Sequence, residues 1–143
     1  MALPAQKFRE IVFQLLFCSD MSESEEREMI PFMMGELKVT KRVMLDAYAR
    51  KGAIWGKKDE VDALIRQYAK EYAFERISRV EKNILRLSLY EMLLDESIPE
   101  KVAIAEGIRL TRKFGTAESA HFVNAILDAV YHDNQRSEEP IPQ

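Results

Sequence analysis

The sequence predicts an all-α fold, with about seven helices arranged in two packed helical subdomains. Apolar residues recur at three- and four-residue spacing along most of the chain, and the sequence lacks the alternation typical of strands. The 143 residues include only five glycines and five prolines, which also favours helices. We expect an N-terminal subdomain over residues 1–57, a C-terminal subdomain over 58–135 and a flexible tail over 136–143.

The first predicted helix contains "FREIVFQLLF", residues 8–17, which has more large apolar side chains than one helix face holds. Most of them share one stripe, whereas Phe13 and Phe17 lie nearly opposite it at 100° per residue. Met21 continues the four-residue spacing, so the three side chains would form a ridge. Two interpretations stay open: a partner protein covers this ridge, or another helix of the same chain does.

The following helices are predicted from their caps and their apolar patterns. Ser22 and Glu25 have the spacing of a capping box and predict an acidic second helix. Thr40 and Thr116 are candidate caps for the third and the last helix. The segment from residue 77 to 94 is apolar nearly all round, so we expect it to be the central buried helix of the C-terminal subdomain.

The charges of the chain are segregated, although the net charge is only −3. Six acidic residues and one arginine lie between residues 19 and 37, whereas seven basic residues and only Asp46 lie between residues 38 and 58. The net charge argues against strong nonspecific nucleic-acid binding, but the basic segment can create a local positive field. A solvated helix face is the alternative interpretation of that segment.

Motifs for catalysis are missing from the sequence. "GAIWGKK" has three residues between its glycines and no Ser or Thr after the lysine, so it is not a phosphate-binding loop. His121 and His132 would lie roughly 16 Å apart on one helix, too far to share a metal ion. We therefore predict no catalytic residue, no metal site, no cofactor and no enzymatic activity. The uncharged runs are too short to cross a bilayer and the single cysteine suits a reducing compartment, so we expect a cytoplasmic protein with no membrane partner.

Several linked motifs resemble those of the NusB family of transcription antitermination factors. In the C-terminal half they are "VEKNILRLSLYE", "IPEKVAI", "KFG" six residues before "FVN", and "ILD", preceded by "YAFERI". The opening "KFREIVFQLLF" is similar to the first helix of the family. The chain departs from the family pattern in having only Lys7 and Arg9 where an arginine-rich cluster is usual, and in having Ala105 and Ala125 where Asn and Gly are common.

The resemblance implies one NusB-like domain and a role without catalysis. Proteins of this family bind the single-stranded boxA RNA of nascent ribosomal transcripts together with NusE, a small-subunit ribosomal protein. Through that complex they meet other Nus factors and RNA polymerase. The RNA-binding residues that we carry over are Lys7, Arg9, Lys101, Glu118, His121 and Phe122, and the partner-binding residues are Phe13, Phe17, Met21 and Glu81.

Other interpretations remain open from the sequence. The same fold can serve as a protein-interaction module, homodimeric through Phe13 and Phe17, with weak RNA binding or none. It can also be an accessory domain of the kind that precedes RNA methyltransferase domains. Phe122 is either an ordinary core residue or a half-exposed ring that stacks on a base.

Overall fold

The computed structural model describes residues 3–21, 35 and 38–138. These residues form six α-helices and one short 3-10 helix, without a strand among them, which confirms the predicted all-α class. The predicted acidic helix with Ser22 and Glu25 lies outside the described residues. The helices are α1 (Ala5–Met21), α2 (Lys41–Trp55), α3 (Lys58–Tyr68), the 3-10 helix Phe74–Arg76, α4 (Arg79–Leu94), α5 (Glu100–Phe114) and α6 (Ala117–Glu138).

The chain divides into two compact units, Met1–Asp59 and Glu60–Gln143. The subdomain limits at residues 57 and 135, taken from the sequence, stay predictions. Helix α6 runs to Glu138, so it continues past the predicted start of the tail. Residues 139–143 lie outside the described residues.

In the first unit, α1 packs against α2. The predicted apolar stripe of α1 is buried, with Ile11 and Leu15 at 0% exposure. Phe13 is also interior, at 3% exposure, with its ring centroid 6.3 Å from that of Phe17. This corrects the assignment of Phe13 to a partner surface, because the chain itself covers the Phe13 side chain. Phe17 is half-buried and Met21 is exposed.

In the second unit, α4 is the central helix and packs against both α5 and α6. Its buried residues include Ile84 and Leu89, at 0% exposure, and the carboxyl-bearing Glu91, at 2%. The backbones of α4 and α5 approach closely at Gly107, where a Cβ atom would come within 2.5 Å of the Ser88 Oγ atom. The nearly all-round apolar pattern therefore predicted this helix correctly.

A buried ion pair attaches α3 to α4. The Arg86 guanidinium donates from Nε and Nη2 to the two carboxylate oxygens of Asp62, at 2.8 and 2.9 Å. Arg86 also donates to the Asn83 side-chain oxygen at 3.0 Å, and Asn83 donates to the Arg79 carbonyl oxygen at 2.8 Å. Satisfied buried polar groups of this kind hold one geometry. The ion pair thus holds α3 against α4.

Candidate functional site

A cleft of about 320 Å³ opens on the second unit. It lies between the segment that leads into α4 and the first turns of α6. Both walls therefore come from helix starts, where capping side chains hold the backbone. The lining residues are Tyr72, Arg76, Ile77, Glu81, Thr116, Glu118, Ser119 and Phe122.

Two helix caps fix the walls of the cleft. Ser78 and Glu81 form a capping box, in which the Ser78 Oγ atom accepts from the Glu81 amide and Glu81 accepts from the Ser78 amide, both at 3.1 Å. On the opposite wall, the Thr116 Oγ1 atom accepts from the Ser119 amide at 3.1 Å. Such caps stabilise a helix start by about 1 kcal/mol each. Glu81 consequently has a structural role as well as a place in the cleft.

The apolar part of the cleft is a pair of aromatic rings. Tyr72 is 57% exposed, and its ring meets that of Phe122 edge to face, with centroids 5.7 Å apart and planes at 89°. Phe122 is half-buried, so it is neither fully exposed nor an ordinary core residue. Exposed flat rings of this kind can stack on nucleic-acid bases.

The charged part of the cleft is mainly acidic. Glu81 and Glu118 supply two carboxylates, whereas Arg76 supplies the one cation among the residues that line the cleft. Ionised carboxylates only accept hydrogen bonds, so they suit the amino groups on base edges and repel phosphates. Rings beside carboxylates of this kind are suited to contact bases rather than phosphates.

The cleft brings together three of the predicted site residues, Glu81, Glu118 and Phe122. Lys101 is exposed in the first turn of α5 and is not among the lining residues. His121 is exposed and lines a different groove, of about 280 Å³, so it does not share the cleft with Glu118 and Phe122. The reason is the helical turn, which directs adjacent residues of α6 to different sides.

The other predicted residues lie in the first unit, on α1. Lys7 and Arg9 are half-buried near the start of that helix. Phe17 and Met21 lie toward its end, and Met21 is 41% exposed. With Phe13 in the interior, the predicted apolar ridge is reduced to these two side chains.

Sequence reasoning missed Tyr72 and Arg76 as residues of the cleft. α3 ends at Tyr68, and Tyr72 lies in the segment that connects α3 to the 3-10 helix. The signal that could have found both residues was the "YAFERI" motif, which contains them and resembles a family motif.

Two other kinds of site are absent from the described part of the chain. There, no group of three or more His, Cys, Asp or Glu side chains is placed to hold a metal ion. None of the described helices is both long enough and apolar enough to cross a membrane.

The chain is similar to known proteins over nearly its whole length. The NusB family model matches residues 6–132. The "Transcription antitermination protein NusB" of Chlamydia pneumoniae is 36% identical over 138 residues, covering 96% of this chain and 86% of that protein. The protein of the same name from Clostridium perfringens is 34% identical over 131 residues, covering 90% of this chain and 97% of that protein.

Solved structures show the same fold. The NusB of T. maritima has a TM-score of 0.78 and 32% identity, covering 93% of this chain and 94% of that one. A chain from the "Crystal Structure of Antitermination Factors NusB and NusE in complex with dsRNA" has a TM-score of 0.74, covering 90% of this chain and 96% of that one. Its 22% identity supports the fold alone. From the family match over residues 6–132 and the relatives more than 30% identical, this chain belongs to the NusB family.

Proposed function

We propose that this protein is a transcription antitermination factor that binds single-stranded boxA RNA of nascent ribosomal transcripts together with NusE. Its family membership supports this role, because the relatives described above are named transcription antitermination proteins. The observation that carries the proposal is the Tyr72–Phe122 ring pair beside the Glu118 carboxylate. The rings stack on bases, while the carboxylate accepts hydrogen bonds from their amino groups.

The remaining contacts of the proposed complex come from residues other than the ring pair and Glu118. Lys7, Arg9 and Lys101 supply cations for RNA phosphates, which an acidic cleft does not bind. Phe17 and Met21, together with Glu81, contact NusE. The protein acts by binding, without catalysis, in the cytoplasm where transcripts are made. Other Nus factors and RNA polymerase are reached through this complex.

The homodimeric alternative is less well supported. It relied on a ridge of Phe13 and Phe17 that two copies of the chain would share. Phe13 is only 3% exposed, so most of its surface is already buried within the chain. A dimer at this place would have to use Phe17 and Met21 alone.

The decisive experiment is a titration of fluorescently labelled boxA RNA with the wild-type protein and with Phe122→Ala, with and without NusE. Loss of one stacked base costs about 1–3 kcal/mol, so we expect the Phe122→Ala affinity to fall at least about five-fold. Phe114→Ala is the matched control, because Phe114 is also half-buried but does not line the cleft. We expect NusE to tighten RNA binding by the wild-type protein, since the two would supply complementary contacts.

If the wild type and Phe122→Ala bind boxA with equal affinity, and circular dichroism shows that both are folded, the cleft does not contact the RNA. Absence of any boxA binding, alone or with NusE, would overturn the proposed function as a whole.

A further inference from the structure

The outward side of α2 carries apolar and aromatic side chains that the core does not use. Leu45 is 57% exposed and Tyr48 is 41% exposed. The interior side of the same helix is filled by other residues, including Ala47 and Ile54, at 0 and 1% exposure. Packing of α2 on α1 therefore leaves Leu45 and Tyr48 unexplained.

These two side chains belong to a continuous strip along the helix. At 100° per residue, its members fall within an arc of about 80°. Gly52 leaves the strip open in its middle, because a Cβ atom there would meet nothing within 4 Å. We call this strip the α2 outer face, and its residues are Lys41, Leu45, Tyr48, Gly52 and Trp55.

The surroundings of the α2 outer face are strongly basic. Seven lysines and arginines lie between Lys38 and Lys58, against one acidic residue, Asp46. That carboxylate is paired with Arg42 at 3.4 Å. Lys41 begins the face and is exposed, and Lys58 follows its end. The acidic net charge of the whole chain thus coexists with a basic region that is confined to one helix and its ends.

Each aromatic ring of the α2 outer face has a lysine amine above it. The Lys51 Nζ atom lies 4.1 Å from the ring centroid of Tyr48, and the Lys58 Nζ atom lies 4.8 Å from that of Trp55. Tyr48 and Trp55 are seven residues apart, so the same ring-and-cation pair recurs after about two turns, or about 10 Å. Lys51 is only 7% exposed, so its amine orients the Tyr48 ring, and the cations available to phosphates beside the rings are the exposed Lys41 and the half-buried Lys58.

We propose that the α2 outer face binds single-stranded RNA without sequence preference. From Lys41 to Trp55 the helix rises about 21 Å, the length of about six nucleotides at the 3.4 Å spacing of stacked bases. Cations at both ends bind phosphates, and Tyr48 and Trp55 provide the flat surfaces for bases. This site lies in the other compact unit from the cleft, so it does not depend on the RNA contacts proposed for Phe122.

Nucleic acid fits this surface better than other anionic partners. An acidic protein segment could pair with the lysines, but its carboxylates would make no favourable contact with two aromatic rings at a regular interval. An anionic membrane surface favours a helix with a broad apolar side, whereas the outer face begins with Lys41 and has Gly52 among its few apolar residues. The two rings at a regular interval, with Lys41 and Lys58 at the ends of the face, therefore favour RNA.

Trp55 makes a direct test available, because it is the only tryptophan in the chain. The probe is an oligouridylate of about 12 nucleotides, within the range of site sizes known for single-strand binders. We expect it to quench the Trp55 fluorescence of the full-length protein in a saturable way. Tyr48→Ala should weaken this binding at least about five-fold, the loss expected for one stacking contact. Leu94→Ala, which truncates an exposed apolar residue of the second unit, should bind as the wild type does.

A second pair of variants tests the cations without touching an aromatic ring. Lys41→Gln with Lys58→Gln should reduce the salt dependence of RNA binding, measured by anisotropy of the labelled oligouridylate. The slope of log affinity against log salt should become shallower by about 1.4, or about 0.7 for each lost phosphate contact. Lys70→Gln with Lys113→Gln removes the same charge from exposed positions of the second unit and should leave the slope unchanged. Folding of every variant is checked by circular dichroism.

Three results would overturn the proposal. The first is that oligouridylate leaves the Trp55 fluorescence unchanged. The second is that the Lys41→Gln, Lys58→Gln variant keeps the wild-type salt slope. The third is that phosphatidylserine vesicles or polyglutamate quench Trp55 and oligouridylate does not. Failure of the cleft is distinguishable from failure here. If boxA binding needs Phe122 but oligouridylate does not quench Trp55, only the α2 site fails, and if Phe122→Ala binds boxA as tightly as the wild type while oligouridylate quenches Trp55, only the cleft fails.

Discussion

The cleft of the second unit and the α2 outer face of the first unit both contain aromatic rings, but the charged side chains beside those rings have opposite signs. In the cleft, Tyr72 and Phe122 lie beside the carboxylates of Glu81 and Glu118. On the α2 outer face, the rings lie beneath lysine amines. Carboxylates beside a ring favour base amino groups and disfavour phosphates, whereas ammonium groups do the reverse. Aromatic rings are therefore suited to discriminate between bases in the cleft and to bind RNA without sequence preference on the α2 outer face.

The two regions also differ in what holds them in position. The α2 outer face is one continuous helix, so its spacing follows from helical geometry alone. The cleft depends on a connecting segment between α3 and α4 and on two helix caps. It should consequently be the more sensitive of the two to changes in the surrounding core.

The largest expected effect comes from breaking the buried ion pair that attaches α3 to α4. Asp62→Ala leaves the Arg86 guanidinium buried without its carboxylate, and the side chains of these residues are only 7 and 4% exposed. Loss of one partner of such a pair costs about 3–5 kcal/mol of unfolding free energy. Urea unfolding followed by circular dichroism measures this loss.

The same variant separates the two regions. In the fraction of Asp62→Ala that remains folded, we expect boxA binding at the cleft to fall and quenching of Trp55 by oligouridylate to persist. Glu60→Ala, an exposed carboxylate two residues away, is the control and should change the unfolding free energy by less than about 0.5 kcal/mol. A folded Asp62→Ala protein with wild-type boxA affinity would show that the ion pair does not position the cleft.

A smaller effect is expected at the end of α1, which carries apolar surface without the lysines of α2. Phe17→Ala should weaken NusE binding by about 1–3 kcal/mol, the range of an interface anchor. Isothermal titration calorimetry with purified NusE measures this change. Leu45→Ala is the matched control, because it truncates an exposed apolar residue of the same unit at the α2 outer face.

The opposite pattern of NusE affinities would assign NusE binding to the α2 outer face and not to the end of α1. Weaker NusE binding by Leu45→Ala, with Phe17→Ala unaffected, would mean that the α2 outer face meets the protein partner. A collapse in thermal stability of Phe17→Ala, with normal NusE affinity of the folded fraction, would mean that Phe17 is a core residue.

Local sequence signals predicted the helices well because caps and periodicity act over a few residues. Thr40 caps α2 by accepting from the Val43 amide at 3.2 Å, and Thr116 caps α6 in the same way. The central position of α4 also followed from its own residues, since a helix that is apolar nearly all round has to be covered on all sides.

Long-range packing limited the prediction of the site. Periodicity assigned Phe13 to a side of α1 but could not say that the rest of the chain covers that side. Periodicity also gave no sign that the chain leaves α3 after Tyr68 and brings Tyr72 against Phe122. Fifty residues separate those two rings in the sequence, so only the fold, or the family motif that contains Tyr72, could pair them.

The smallest expected effect on stability comes from a hydrogen bond that joins the end of α3 to α6. The Tyr68 hydroxyl donates to the Asp133 Oδ2 atom on α6 at 2.6 Å. This hydrogen bond, then burial, then the charge of the carboxylate raise the pKa of Tyr68 above its ordinary value of 10.0. Because the native state holds the phenol proton more tightly than the unfolded state, the stability from this contact is complete below pH 10 and is lost as the pH rises through the raised pKa.

Tyr68→Phe should therefore lower the unfolding free energy by about 0.5–1 kcal/mol at pH 7, the usual value of a solvent-accessible hydrogen bond. The difference from the wild type should shrink above pH 10, because the wild type then loses the same contact by ionisation. Urea unfolding of both proteins at pH 7 and at increasing pH above 10 measures it, with Tyr131→Phe on α6 as the control. A difference that stays constant across this range would mean that the Tyr68 proton does not link α3 to α6.

Since Tyr68 ends the helix that leads to Tyr72, a drop in boxA affinity of Tyr68→Phe with unchanged Trp55 quenching would tie this contact to the cleft and not to the α2 outer face.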